Sequence, residues 1–436
     1  MGAGVTVRPS RASTAQLLAL HASDPAAFPH FLVSGGAGGR FDILFAAPEA
    51  ARLLPAGAGA ARMQEFFAGI ERRLDPGATD PAPLPFTHGD FVYFSYELGQ
   101  LFEPRLALAP PPLPLAFAQY CRAALVHDHQ NGHTMACAQD PDLAASLARR
   151  AAAMRPQVAS RVPVCGITEE DPARYLAGIA RIQDYIRAGD VFQVNLSRGY
   201  SAELAPGTEA AQVMAALVHA NPAPYAALAT LGKTAIVSAS PERLLEVRGS
   251  TIRSFPIAGT APRQSDGDDE AARLRLRAHP KERAEHVMLV DLERNDIGRV
   301  CAPGSVRVPS LMHIESYATV HHLVSTVEGT LRPATPMSAI LRSLFPGGTI
   351  TGCPKVRCME ILAELEAGPR GAYTGSLGYV NACGDMDLNI LIRTAVLGGD
   401  SLSWRVGGGI VADSDPAAEL AETRAKAAGL LRAFQA

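Results

Sequence analysis

The chain reads as an α+β protein. Past residue 189, strand-like runs follow one another through short turns, which is an antiparallel habit, and the recognisable helices stand apart with proline in their first turn. With 436 residues and 47% apolar content there is ample material for a buried core.

Up to about residue 135 the sequence is rich in Ala, Pro and Gly, and RFDILFA (40–46) and DFVYFSYELG (90–99) carry strand signals between proline-rich loops. APPPLPLAF, near Pro110, is extended, because proline has no amide proton and biases its predecessor away from α. A helix is expected at 141–154, followed by a linker to about Glu170. The predicted division is therefore an N-terminal region, 1–155, and a larger domain, 165–436. In that domain Asp171 caps a helix that starts at Pro172, places Tyr175, Ile179, Ile182 and Ile186 on one face and stops at Gly189. Strand signals follow at 191–200, 225–231, 234–247 and 250–259. Two charged helices begin near Pro280 and near Pro416, the second capped by Asp415. Between them lie VHHLVSTVEGTL, the glycine-rich FPGGTITGCPK, YTGSLGYV, DLNILIRTAVL and WRVGGGIVADS.

Composition removes several classes of partner. A net charge of −3 gives no basic footprint for nucleic acid or acidic membrane. No stretch reaches the ~18 apolar residues of a membrane span, and the first residues lack the apolar core of a secretory leader. A cytoplasmic protein is expected. The seven cysteines are scattered, with no CxxC pair, and read as reduced thiols. Only Lys233, Lys281, Lys355 and Lys426 among the 40 basic residues are lysine, the one basic type here able to lose its proton readily.

Several constellations can carry chemistry. Glu282 and Glu285 share a face of the Pro280 helix, and Glu419 and Glu422 repeat that spacing on the Pro416 helix. Four carboxylates without His or Cys suit Mg²⁺; equally, they make two solvated faces with Lys426 an i,i+4 partner of Glu422. Gly407, Gly408 and Gly409 offer unshielded amides for a carboxylate near a helix start, or mark a bend in a strand. FPGGTITGCPK lacks the spacing of a phosphate loop, which excludes a nucleotide site of that type. His322 either polarises a substrate oxygen or is a hydrogen-bonded core residue. Glu242, after a proline at a strand end, is a general-acid candidate or an ion-pair partner of Arg243 or Arg263. Arg393, inside an apolar strand, needs an anion from the protein or from a ligand.

From about Tyr175 to Ala427 the motifs GDVFQVNLS, SASPERL, PIAGT, KERAEH, VDLERNDIGRV, VHHLVSTVEG, FPGGTITGCPKVRCMEIL, YTGSLGY, DLNILIRT, GGGIVADS and ELAETRAKA resemble, in order and spacing, the chorismate-binding enzymes. These include anthranilate synthase component I, aminodeoxychorismate synthase component I and the salicylate and isochorismate synthases. RFDILFAAP and FVYFSYELG look like the family's N-terminal half. The resemblance implies two stacked, mostly antiparallel sheets forming a core sandwich with helices outside, and the N-terminal region, 1–155, packed on that core. It implies that Glu285 and Glu422 bind Mg²⁺ with Glu282 and Glu419 alongside. It also sets Tyr373, Arg393, Gly407, Gly409 and Lys426 around the carboxylates of chorismate, Gly259, Thr260 and His322 beside its ring, and Glu242 at the departing carbon-4 hydroxyl.

Where water-using relatives carry a base lysine this chain has Gln193, which implies ammonia as nucleophile. QVNLS, VHHLVST and DMDLNILIRT resemble aminodeoxychorismate synthase, a step toward p-aminobenzoate and folate. Ala258 departs from that branch, whose PIxGT motif holds a lysine, and matches the anthranilate synthases. No GxCxGxQ-like segment of a glutaminase occurs, so a separate glutamine amidotransferase subunit is the expected source of ammonia. A non-catalytic chorismate-binding subunit is the alternative of another class.

Overall fold

Alternation along the strands decides how the layers stack. In the strand Tyr225–Leu231, Ala226 and Leu228 enter one apolar cluster while Ala227, Ala229 and Leu231 enter another. Gly89–Phe94 divides similarly, with Phe91 and Tyr93 on the face shared with Ala227, and Val92 and Phe94 on the opposite face. A strand apolar on both faces must be covered on both, so the chain needs two sheets facing each other and helices on each outer side.

The computed structural model has that arrangement; it describes residues 4–35, 39–75, 84–156, 162–263, 269–317 and 320–434. The pairings among the described strands are antiparallel and form one continuous network. Its first layer runs from Val164–Glu169 through Gln193–Leu204, Ser401–Ile410, Thr394–Gly398, Thr234–Ser240, Tyr225–Leu231 and His30–Val33 to Phe41–Pro48. The long strand Ala116–Asp128 then passes from one layer to the other. Its later half pairs with Phe41–Pro48 and its earlier half with Gly89–Phe94. The second layer continues through Ser376–Asn381, Met386–Asn389, Arg243–Arg248 and Thr251–Ser254 to Val320–Thr330, which also pairs with Ile257–Pro262 and Arg307–Ser316. Strands from before residue 155 and after residue 165 thus lie side by side in both layers.

Helices Thr14–Ser23, Pro141–Ala153, Ala210–Ala220 and Pro416–Phe434 cover the first layer; Ala60–Glu71, Pro280–Gly298 and Met337–Leu344 cover the second. Pro172–Arg187 begins as expected, with the Asp171 carboxylate accepting from the Ala173 amide, and buries Tyr175, Ile179 and Ile182. Three expectations are corrected. Residues 96–102 turn helical after Ser95 caps the Glu97 amide. The run 234–247 breaks at Pro241–Glu242 into two strands. Arg393 is not inside a strand: it stands at φ 51° in the bend between Met386–Asn389 and Thr394–Gly398. The bend frees its side chain from the pleat.

Candidate functional site

Strand Gln193–Leu204 of the first layer, paired with Ser401–Ile410, and strands Ile257–Pro262 and Val320–Thr330 of the second all reach the helix Pro280–Gly298. His279 caps that helix by accepting from the Glu282 amide. One turn on, Glu285 Oε1 accepts a hydrogen bond from Gln193 Nε2 at 3.0 Å. Glu282 lies against Gly259, where a Cβ would fall 2.7 Å from its Oε2. Gly259 also has φ +78°, so glycine is required there by backbone and by space together.

The three glycines of the Ser401–Ile410 strand are neither a bend nor a helix-start nest. They lie in a regular ladder opposite Ser197, Leu196 and Asn195. What they provide is room. A Cβ on Gly409 would sit 2.2 Å from Gln193 Nε2, one on Gly408 3.2 Å from Glu419 Oε2, and one on Gly407 2.7 Å from the Tyr373 hydroxyl. Gln193 and Tyr373 therefore close over one face of a bare strip of strand, and Glu419 over the other. Glu419 accepts from Ser414 Oγ at 2.7 Å. Glu422 makes the ordinary helical ion pair with Lys426 at 2.7 Å and is about half exposed, its side chain at 54%. Lys426 Nζ also donates to the Gly407 carbonyl at 3.0 Å, which ties this pair to the rim of the same strip.

Glu242 is buried, and neither Arg243 nor Arg263 is its partner. Arg243 pairs with Asp387 and Arg263 with Asp269. The Glu242 carboxyl receives Thr349 Oγ1 at 2.7 Å. Burial, opposed by that bond and reinforced by nearby Glu293, pushes its proton affinity up to about pH 7. Near neutrality it can donate a proton. His322 is buried with Nδ1 2.9 Å from Thr260 Oγ1, and Thr260 itself is exposed. Burial and then the charge of Arg393 lower the imidazole to about 4, so it is neutral. The Arg393 guanidinium has no hydrogen-bond or ion-pair partner among the described residues, and burial lowers its proton affinity. Tyr373 is a buried neutral phenol, raised to about 12 by burial. Ala258 is buried opposite Leu323 and presents a methyl where an amine would be needed for covalent chemistry.

Three residues that sequence reasoning did not single out join the group: Thr349, Asn195 and Tyr175. Thr349 sat unremarked inside FPGGTITG. Asn195 had no local signal and Tyr175 only that of an apolar helix face, since folding alone sets Asn195 Oδ1 2.9 Å from a Cβ position on Gly407 and the Tyr175 hydroxyl 3.8 Å from one on Gly408. The Tyr175 hydroxyl, Gln193 Oε1, Asn195 Oδ1 and His322 Nε2 are buried polar atoms without a partner. Gln193 Oε1 and Asn195 Oδ1, which lie over the same face of the glycine strand, call for a polar ligand there.

The donor chemistry at the helix pairs is hard oxygen only, and it fits Mg²⁺ rather than a softer metal. Glu285 reaches the glycine strand through Gln193 over Gly409, and Glu419 lies against Gly408 on the opposite face of that strand. Among the described residues no three carboxylate, imidazole or thiol groups already converge as a ligand set, so water and substrate oxygens would complete a shell. Of the lysines, Lys355 is held by Asp296 at 2.6 Å and Lys426 by Glu422. The side chain of Lys281 lies outside the described residues. A separate cavity of about 730 Å³ between the layers, lined by Arg243, Glu246, Arg248 and Asp387, contains none of the candidate metal, substrate-binding or catalytic residues. No described helix is long and apolar enough to cross a membrane.

Comparison with known proteins gives this geometry its context. Residues 46–432 match the model of a family described as chorismate binding enzyme. The chain is 40% identical over 400 residues to aminodeoxychorismate synthase component 1 of Klebsiella aerogenes, covering 88% of each. It is 42% identical over 379 residues to anthranilate synthase component 1 of Thermus thermophilus, covering 84% of this chain and 81% of that one. Anthranilate synthase component I of Streptococcus pneumoniae superposes with a TM-score of 0.79 at 28% identity, over 91% of this chain and 93% of that chain.

Proposed function

The chain belongs to the chorismate-binding enzyme family, and we propose that within it this protein is the large subunit of an aminodeoxychorismate synthase. It replaces the carbon-4 hydroxyl of chorismate with ammonia to give 4-amino-4-deoxychorismate. The observation that carries this reading is Gln193. Its amide is committed to Glu285 and cannot take a proton, so nothing at that position activates water, whereas ammonia needs no deprotonation before it attacks.

The division of labour follows from the groups present. Glu242 delivers its proton to the leaving hydroxyl, which departs as water. Nitrogen forms the new bond to carbon, and the resulting ammonium returns a proton to the Glu242 carboxylate, so charge and atoms balance. Arg393, which lacks a protein anion, and Lys426 receive carboxylates of the substrate. Tyr373 and Gly407 bound the same region, and Gly409 leaves space for the Gln193 amide. Neutral His322, oriented by Thr260, offers Nε2 to a ring oxygen beside Gly259. Glu285 and Glu422, with Glu282 and Glu419, would hold Mg²⁺, which when bound would supply positive charge to a substrate carboxylate. With Ala258 in place of an amine, the substitution proceeds without a covalent lysine intermediate. Ammonia comes from a separate glutamine amidotransferase subunit, in the cytoplasm.

A second reading rests on Ala258. A methyl group there favours direct addition of ammonia at carbon 2 and an anthranilate precursor as product, and the similarity to anthranilate synthases is of the same order. Incubation of the purified protein with chorismate, Mg²⁺ and ammonium salts, with products separated by chromatography, decides between them. Aminodeoxychorismate is the expected product, and chelation should abolish its formation. Anthranilate as the main product replaces the first reading with the second. Binding of chorismate without turnover, indifferent to the metal, identifies a non-catalytic subunit.

A further inference from the structure

The helix Pro280–Gly298 carries a third inward carboxyl. Glu293 follows Glu282 by about three turns and so lies on nearly the same side of the helix. It is 4% exposed. Its Oε2 accepts from Ser254 Oγ at 2.8 Å, and it also accepts from the backbone amide of Gly348. A Cβ on Gly348 would lie 3.5 Å from Glu293 Oε1 and 2.3 Å from a methyl of Leu292. Only glycine lets this turn pack so closely on the helix. The next residue, Thr349, gives its hydroxyl to Glu242. Two buried carboxyls thus hold adjacent residues of one turn, one through the backbone and one through a side chain.

We propose that Glu293 is a positioning residue for Glu242: it holds the Gly348–Thr349 turn whose hydroxyl orients the acid, and it sets a second buried carboxyl beside that acid. This inference rests on the reading of Glu242 as the acid. The electrostatic surroundings agree with it. The cation that acts on Glu293 among the described residues is Lys355 of the helix Lys355–Leu365, and Lys355 is paired with Asp296 on Glu293's own helix. Ser254 and Thr349, which bond the two carboxyls, and the neutral phenol of Tyr373, which Glu242 acts on, carry no positive charge. Burial first, then Asp296, raise the proton affinity of Glu293, and Glu293 in turn raises that of Glu242.

A readout independent of turnover separates this proposal from the assignment of the reaction. The protonated-carboxyl infrared band that wild type has and Glu242→Gln lacks is titrated in Glu293→Gln, a change that keeps an acceptor for Gly348 and removes the charge. The midpoint is expected to fall by about 1 pH unit, a tenfold loss of proton affinity. An unchanged midpoint overturns the proposal, whatever product the enzyme makes. Ser254→Ala is the companion variant, decisive if Glu293→Gln does not fold. Without that hydroxyl, Glu293 holds its own proton more firmly and repels less, so the Glu242 midpoint should move in the same direction by a smaller amount; no movement overturns the idea as well. In turnover, Glu293→Gln should lower kcat more at pH 8 than at pH 6 with KM little changed, whereas a purely structural residue would lower it equally at both.

Discussion

Glu242 and Glu366 are the same residue type, both with buried carboxyls, yet their surroundings give them opposite characters. Glu366 is ringed by cations and donors: Arg370 at 2.7 Å, Arg405 at 3.7 Å, and Ser197 through both amide and hydroxyl. Burial alone would raise its proton affinity, but these partners outweigh burial and lower it. Glu242 has a single hydroxyl and a neighbouring carboxyl, and burial prevails, with the affinity up to about pH 7. The comparison teaches that desolvation is shared by all interior carboxyls and that the count of nearby cations separates a structural ion from a proton donor.

The largest expected effect is on rate. Glu242→Gln should reduce kcat by about 10²–10⁴-fold without any loss of stability, measured by steady-state product formation and thermal melting. Equal loss of activity and stability would erase the contrast with Glu366. For Glu366→Ala the expectation is reversed: the buried Arg370 guanidinium is left unpaired, costing about 3–5 kcal/mol in denaturant unfolding.

A smaller effect lies in stability against pH. The folded-state affinity of Glu242 is above that of an unfolded glutamate, so the folded form loses relative stability as pH rises from about 4.5 toward 7. Glu242→Gln should therefore be the more stable protein at pH 8, by on the order of 2 kcal/mol, and should lose that advantage at pH 4. Glu366 works the other way, its contribution being present above the ordinary glutamate range and fading as the solution is acidified through its lowered folded value. Smallest is Thr349→Val, which removes the one bond that favours ionised Glu242. The alkaline limb of kcat should move to higher pH by less than about 1 unit, opposite in sign to Glu293→Gln.

Much of this was legible before folding was known. Pro172, Asp171 and the Tyr175, Ile179, Ile182 spacing fixed a helix because capping and periodicity are local. Glu282 with Glu285, and Glu419 with Glu422, were placed on common faces by a three-residue spacing alone. The sequence could not show that Arg393 leaves its strand, because a bend at φ 51° in a non-glycine residue depends on packing. Nor could it show why Gly407 to Gly409 are glycine. Bend and anion nest are local explanations, and the actual one is the space taken by Tyr373, Glu419 and Gln193, residues far away along the chain.

The sequence by itself determined the inventory of chemistry, the helices and strands that carry it, and the side of each element on which it lies. Tertiary structure decided which carboxyl keeps its proton, which arginine lacks an anion and which polar atoms go without partners. Proton affinity and hydrogen bonding are set within a few ångströms in space, where neighbours come from distant parts of the chain, while periodicity and capping are set within a few residues along it.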